Sequence, residues 1–169
     1  MVLLKLIGLL MKNNHNTHLK EGDKAPAIHA KDQNGNPVSL KDFKGKKVIL
    51  FFYPKDDTPG CTAESCNLKE NYQKLKQLGF EIIGVSADTE KSHLKFIKKY
   101  DLPFRLIADT EKKVIEAYDV WGKKTFMGRT FDGIVRTTFV ISEKGKIEKI
   151  LNKVDTKNHT DQILSELDL

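Results

Sequence analysis

Only two of the 169 residues are cysteine, Cys61 and Cys66. A small secreted domain held by disulfides carries more of them, spread along the chain. A bridge across so short a loop would constrain almost none of the unfolded chain. The pair therefore reads as chemical rather than structural, and it suits a reducing, cytoplasmic compartment. Metal-ligand spacing is missing as well. His15, His18, His29, His93 and His159 are scattered, with no H-x3-H or C-x2-C partner, so no metal site is expected. The chain has no P-loop and no GxGxxG, and no flavin, haem or nucleotide cofactor is implied. No apolar run reaches the ~20 residues that a membrane-spanning helix needs, so no stable membrane association is expected.

A concentrated basic stripe is also lacking. The formal net charge is +6, but many lysines alternate with acids, as in Lys69-Glu70, Glu90-Lys91, Glu111-Lys112, Glu143-Lys144 and Glu148-Lys149. That pattern suits solvated faces and turns, and a nucleic-acid partner is not expected. With 39% apolar and 31% charged residues, the chain reads as one soluble globular domain.

The N-terminus stands apart. Residues 1–11 read MVLLKLIGLLM. Their length fits the apolar part of a signal peptide, but no basic segment precedes it, Lys5 interrupts it and no A-x-A-like site follows. Met11 is an alternative start. The expectation is a flexible extension over residues 1–18 and a folded domain over 19–169.

Strand and helix signals alternate through that domain. Asp32 to Pro37 is dense in turn formers between two short strands, over 27–31 and 38–40. Ser39 caps a helical turn reaching Phe43. The run KVILFFY over 47–53 predicts a strand buried on both faces. Helical spacing follows from Cys61 to Leu78, with Ala63, Cys66, Tyr72, Leu75 and Leu78 near one face and Gly79 as the stop. Further strands are expected over 80–87, 104–108, 136–141 and 146–151, the last two forming a hairpin. Helices are expected over 90–100, 111–118 and 161–167, with Asp109 placed to cap the second. Trp121 and Phe126 read as core residues. The order predicts an α/β domain of thioredoxin-like fold: a mixed central sheet flanked by helices, with an added N-terminal hairpin.

The chemistry converges on Cys61. A buried strand ends at Tyr53, the loop Pro54 to Gly60 turns tightly, and a helix begins at or near Cys61. Unpaired amides and the positive end of the helix dipole then face the sulfur and favour thiolate over thiol. The same amides are donors for charge that grows on a peroxide oxygen. Thr58 is within reach of the sulfur or the peroxide, and Pro54 and Pro59 fix the loop. Lys55 is too flexible to be the first choice of cation. Arg136 begins a buried-looking strand and offers a permanent charge with donors in a fixed fork. Glu64 either favours the helix dipole or assists Arg136.

Pro54, Thr58 and Cys61 spell PxxxTxxC, with Arg136 downstream. This resembles the active-site signature of the peroxiredoxins. The strings Pro59-Gly60-Cys61-Thr62-Ala63-Glu64-Ser65-Cys66 and Gly133-Ile134-Val135-Arg136-Thr137-Thr138-Phe139 resemble the Q-type branch, also called bacterioferritin comigratory protein. The resemblance covers residues 19–169. It implies a thiol peroxidase that reduces hydrogen peroxide and organic hydroperoxides, serving antioxidant defence. It implies Cys61 as the peroxidatic cysteine, Cys66 as the resolving one, and Thr58 and Arg136 as groups that orient peroxide and activate the sulfur. It further implies thioredoxin or a similar dithiol as reductant, and a monomer. Two other functions compete: a thioredoxin-type disulfide oxidoreductase, which usually carries C-x-x-C, and a redox-sensing or holdase-like binding role.

Geometry adds one expectation. In an intact helix, residues five apart are separated by about 7.5 Å of rise. Cα atoms more than about 7 Å apart cannot be bridged without backbone movement. A Cys61–Cys66 disulfide therefore requires the first turns of this helix to unwind.

Overall fold

A computed structural model describes residues 11–169. Ten strands run in chain order: β1 Met11–Asn13, β2 Ala30–Lys31, β3 Pro37–Val38, β4 Lys47–Phe52, β5 Phe80–Ser86, β6 Arg105–Ala108, β7 Trp121–Phe126, β8 Arg129–Ile134, β9 Thr137–Ile141 and β10 Ile147–Leu151. Five α-helices accompany them among the described residues: α1 Pro59–Glu70, α2 Tyr72–Gln77, α3 Glu90–Tyr100, α4 Lys113–Ala117 and α5 His159–Glu166. A capped 3-10 turn, Leu40–Phe43, follows Ser39, whose side chain accepts from the Lys41 amide.

The apolar run of β4 sits at the centre of a five-stranded sheet ordered β10-β9-β4-β5-β6. It pairs parallel with β5 and antiparallel with β9. Side chains alternate across a strand, so one run feeds two cores. Val48, Leu50 and Phe52 join Tyr118, Ile115, Ile134 and Phe139 on one face. Ile49 and Phe51 join Cys61, Leu68, Leu75, Phe96 and Ile163 on the other, beneath α1, α2, α3 and α5. Gly84 on β5 is required by close approach: a Cβ there would stand 2.6 Å from Leu106 Cδ2 and 2.8 Å from Phe51 Cζ. The mixed α/β sheet flanked by helices is the expected thioredoxin-like arrangement, and β2 and β3 form the expected N-terminal hairpin.

The structure departs from expectation in three places. The helix expected to run unbroken from Cys61 to Leu78 divides at Asn71. There the Asn71 side-chain amide donates to the Asn67 carbonyl, competing locally with the backbone ladder. The buried face of α1 is also not the apolar one read from spacing. It holds Cys61, Glu64, Ser65 and Leu68, while Cys66 is only half-buried and Leu78 is exposed.

The second departure is an unforeseen three-stranded antiparallel sheet, β1-β7-β8. Its hairpin turns at Met127 and Gly128, both with positive φ (51° and 77°), the backbone a tight hairpin needs. Trp121 does pack against the first core, whereas Phe126 is half-buried at the strand end and joins neither core.

The third concerns residues 11–18, read from sequence as part of a flexible extension. They are tied down. β1 pairs with β7, Thr17 donates to the Tyr118 carbonyl at 2.7 Å, and Asp119 receives both His15 Nε2 (2.9 Å) and His18 Nδ1 (2.8 Å). The apolar stretch over 1–10 lies outside the described residues.

Candidate active site

β4 ends at Phe52, and the loop from Tyr53 to Thr58 delivers the chain to α1. Two sets of contacts fasten this loop to α3. Asp56, itself buried, accepts from Tyr53 (2.6 Å) and Ser92 (2.8 Å) and meets His93 Nδ1 at 2.7 Å. Its amide donates to Asp88 Oδ2 at 2.8 Å. Asp57 takes a left-handed backbone (φ 55°) and accepts from Lys99 (2.8 Å) and Tyr100 (2.6 Å). Burial raises the Tyr53 phenol well above its usual range, and Asp56 adds to this, so Tyr53 stays a donor to the loop.

Ligand-type atoms of Asp56, Asp88 and His93 lie within 4.8 Å of one another, a cluster that sequence spacing did not reveal. Each is already engaged. His93 Nε2 meets the Ile107 carbonyl at 2.9 Å, and Asp88 Oδ2 accepts from Ser86 at 2.7 Å. The geometry is that of a hydrogen-bonded anchor for the loop.

Thr58 is the N-cap residue of α1 and Pro59 its first residue, the position where a missing N–H costs nothing. The first intrahelical bond is Thr62 N to Thr58 O, at 2.8 Å. The amides of Gly60 and Cys61 precede it and have no acceptor within the helix. Cys61 is fully buried, and both cysteines are free thiols. Arg136, in the connection from β8 to β9, reaches this point. Its Nη2 donates to Cys61 Sγ at 3.2 Å and its Nη1 to Glu64 Oε1 at 3.0 Å. Burial acts against the Arg136 charge, but Glu64 and the Cys61 sulfur more than offset it, and the guanidinium is held in its charged form.

Glu64 therefore faces Arg136 rather than merely seasoning the helix dipole. Both of its oxygens are inside the protein; Oε2 lies 3.4 Å from His159 Nε2 at the start of α5. His159 Nε2 also meets Thr138 Oγ1 at 2.8 Å. The other two arginines are elsewhere: Arg105 pairs with Asp32 at 2.9 Å, and Arg129 is exposed.

Cys61, Glu64 and Arg136 are thus brought together, with Thr58 one turn away. The Thr58 hydroxyl donates to the Lys55 carbonyl at 2.8 Å rather than to the sulfur, the first of the two partners expected for it beside a peroxide. Pro54 is half-buried at the head of the loop and Lys55 is exposed. Cys66 lies further along α1, and burial pushes its thiol up from the usual value. Asp109 accepts from the Ile115 amide at 2.8 Å, so it supports α4 rather than the site.

Sequence reasoning missed Lys124 on β7. It is buried, and its ammonium donates to the Ile134 carbonyl at 2.7 Å. The adjacent Lys123 is exposed, and a Lys-Lys pair in a strand reads as solvated. The available signal was the glycine on each strand beside it, Gly122 and Gly133.

An oxidisable sulfur, a fixed guanidinium and two unpaired amides make a site able to bind a small polar oxidant and to stabilise charge leaving it. Comparison with known proteins agrees. Residues 21–150 match the AhpC/TSA family. Peroxiredoxin Bcp of Escherichia coli (strain K12) is 44% identical over 149 residues, covering 88% of this chain and 96% of that one. Peroxiredoxin Bcp of Bacillus subtilis (strain 168) is 44% identical over 146 residues, 86% of this chain and 93% of its own. Among solved structures, Xanthomonas campestris peroxiredoxin Q superposes with a TM-score of 0.78 at 31% identity, covering 90% of this chain and 96% of that one. A Xylella fastidiosa PrxQ mutant reaches a TM-score of 0.83 at 28% identity, covering 90% and 98%. The chain belongs to the AhpC/TSA family as a peroxiredoxin of the Bcp or Q type, a thiol peroxidase.

Proposed function

We propose that Cys61 is the peroxidatic residue and Cys66 the resolving one, in a cycle that reduces hydrogen peroxide and organic hydroperoxides. The observation that carries this is the 3.2 Å contact from Arg136 Nη2 to Cys61 Sγ at a helix start whose amides are unpaired. The Cys61 thiolate attacks one peroxide oxygen. The S–O bond forms, the O–O bond breaks, and the departing oxygen takes a proton to leave as alcohol or water. Arg136 and the Gly60 and Cys61 amides meet the charge on the oxygens as it develops. Thr58 exchanges the Lys55 carbonyl for the bound peroxide.

Cys61 is then a sulfenic acid. The Cys66 thiolate attacks its sulfur, water departs and the disulfide forms. A dithiol of the thioredoxin kind reduces it by exchange. An alkyl peroxide reduction activity is named for the Xanthomonas campestris bacterioferritin comigratory protein, whose structure overlays this chain with a TM-score of 0.78 at 30% identity. That supports organic peroxides as substrates here. Two thiols without a structural bridge fit a cytoplasmic enzyme, and the short cycle within one chain is compatible with a monomer.

The test mixes reduced protein with one equivalent of hydrogen peroxide and follows rate and thiol count. Wild type loses both thiols rapidly, Cys66→Ser traps a sulfenic acid, and Cys61→Ser shows no fast reaction. A wild type no faster than a free thiol at the same pH would remove the assignment of Cys61. Insulin reduction without peroxide turnover would then point to disulfide exchange.

A further inference from the structure

Charge counting around Cys61 leaves one cation over. Arg136 is positive, but its Nη1 is committed to the Glu64 carboxylate at 3.0 Å. That pair is close to neutral as a unit, and what it offers the sulfur is direction more than net charge. A buried Cys61 thiolate then needs another positive group. Lys124 has 3% exposure. Among the described residues, the lysine ion pairs belong to Lys47, Lys99, Lys113 and Lys149, and Lys124 has only the Ile134 carbonyl.

An ammonium buried without a carboxylate is costly to the fold. The chain nonetheless makes room for it: across the hairpin, Gly133 is packed so that even a Cβ would touch the Lys124 stem, at 3.4 Å from Cδ. The cross-strand neighbours of Lys124 are Phe131 on β8 and Asn13 on β1, neither of them ionisable. The bond to the Ile134 carbonyl holds the ammonium two residues from Arg136, whose guanidinium touches Cys61 Sγ at 3.2 Å; the charged groups that act on it are this Arg136, from the β8–β9 connection, and Cys61, from α1. Burial and Arg136 lower Lys124 to about 8, while the Cys61 charge works to hold its proton.

We propose that Lys124 is a positioning residue of the peroxidase site, the uncompensated buried cation that balances the Cys61 thiolate while Arg136, neutralised by Glu64, orients it. Each charge favours the other, and oxidation of Cys61 to a neutral disulfide leaves Lys124 facing Arg136 alone, so that it sheds part of its proton.

The inference rests on Cys61 as the reacting sulfur, and its test does not depend on peroxide turnover. In Cys66→Ser protein, iodoacetamide alkylation of Cys61 is followed against pH with Lys124 intact, with Lys124→Met and with Lys124→Arg. Methionine should move the alkylation midpoint up by about one pH unit and slow the peroxide reaction near pH 7 by about tenfold. Arginine, which keeps its charge, should preserve the rate near pH 7 and sustain it above about pH 9, where Lys124 itself is discharged. A folded Lys124→Met protein with an unchanged midpoint would overturn the proposal. So would a Lys124→Arg protein whose rate declines at alkaline pH just as the lysine form does, which decides the matter should the methionine form fail to fold. Cys61 that alkylates readily but ignores peroxide would sink the peroxidase assignment alone.

Discussion

Arg136 joins Cys61 to Glu64: one guanidinium nitrogen lies 3.2 Å from the sulfur and the other 3.0 Å from a buried carboxylate oxygen. The carboxylate comes from the same helix as the sulfur, one turn later, so α1 supplies both the proposed reacting group and the clamp on its partner. Replacing Glu64 with Ala removes the clamp and leaves Arg136 half-committed in a buried site. The peroxide rate constant should fall by about 10- to 100-fold, less than the roughly 100- to 1,000-fold cost of losing an aimed donor outright, because Arg136 itself remains. Glu64→Gln keeps an acceptor oxygen for Nη1 and should stay within about fivefold of wild type. Stopped-flow kinetics with hydrogen peroxide separate the two, and equal rates for Glu64→Ala and wild type would show that the clamp is idle.

Gly60 stands where Arg136 approaches. A Cβ there would meet Nη2 at 3.1 Å, tighter than an ordinary contact, with the Arg136 Cζ at 3.8 Å behind it. Gly60→Ala keeps the helix and its amides and should move the guanidinium by a few tenths of an ångström. The expected result is a loss of about 5- to 20-fold in peroxide rate, because a misplaced donor costs most in the transition state, with a small change in stability. A variant as fast as wild type would mean that the guanidinium relaxes without penalty.

The proposed Cys61–Cys66 disulfide requires part of α1 to unwind. Five residues of intact helix hold Cys61 and Cys66 too far apart to bridge. The unwinding should stop near Asn67. That side chain donates to the Lys157 carbonyl at 2.9 Å and accepts from the Thr160 amide at 2.8 Å, tying α1 to the start of α5. Amide exchange should rise on oxidation over Cys61 to Cys66, with α5 keeping its protection in wild type and losing it in Asn67→Ala. Unchanged exchange over residues 61–66 in fully disulfide-bonded protein contradicts the mechanism.

The parts of the fold legible in sequence were those governed by local pattern. The run over 47–53, the cap at Ser39 and the helix over 90–100 carry their periodicity or punctuation in neighbouring residues. The misses had tertiary causes. The buried face of α1 was misread because it is set by a partner 72 positions away, Arg136, which receives Glu64. The strand pair β7 and β8 lacked an alternating apolar pattern, since most of β8 is exposed, and Met127 gave no turn signal where a positive φ was needed. Lys124 was invisible for the reason that makes it consequential: a lysine is read as solvated unless the residues that bury it are known. At the site, Cys61 and Arg136 were legible as a pair from motif and charge, whereas the present bond of Thr58 to Lys55 was not.

Asp119 offers a test of the tethered N-terminal segment. Burial alone would raise its carboxyl, but the His18 amide and imidazole, with His15, lower it below the usual carboxylate value. A carboxyl lowered on folding contributes stability that is present above its unfolded value, near 4, and is lost as pH falls through the folded one. Asp119→Asn should loosen the segment that follows β1, seen as faster amide exchange over residues 14–18, while leaving peroxide turnover within about twofold. Retained protection there would show that strand pairing alone holds the segment.

Lys124 makes a prediction about stability with the opposite sign to its effect on rate. Its ordinary value of 10.5 falls to about 8 in the folded protein, through burial first and Arg136 second. Below about pH 8 the lysine is charged in both states, and the cost of burying that charge is present in full. Between about 8 and 10.5 the unfolded chain binds more protons than the folded one, so stability attributable to this group rises with pH and is complete above 10.5. Replacing it with methionine, of similar length and apolar, removes the cost. The reduced Lys124→Met protein should be more stable than wild type near pH 7 by about 3 kcal/mol, the free energy that corresponds to lowering a lysine from 10.5 to about 8. The gap should close as pH approaches 10. Urea unfolding of both proteins from pH 6 to 10 in a Cys61→Ser background, which removes the sulfur that interacts with Lys124, reads the difference. A variant that is less stable at pH 7, or a gap that does not change with pH, would mean that Lys124 is held by packing and not at the expense of a buried charge.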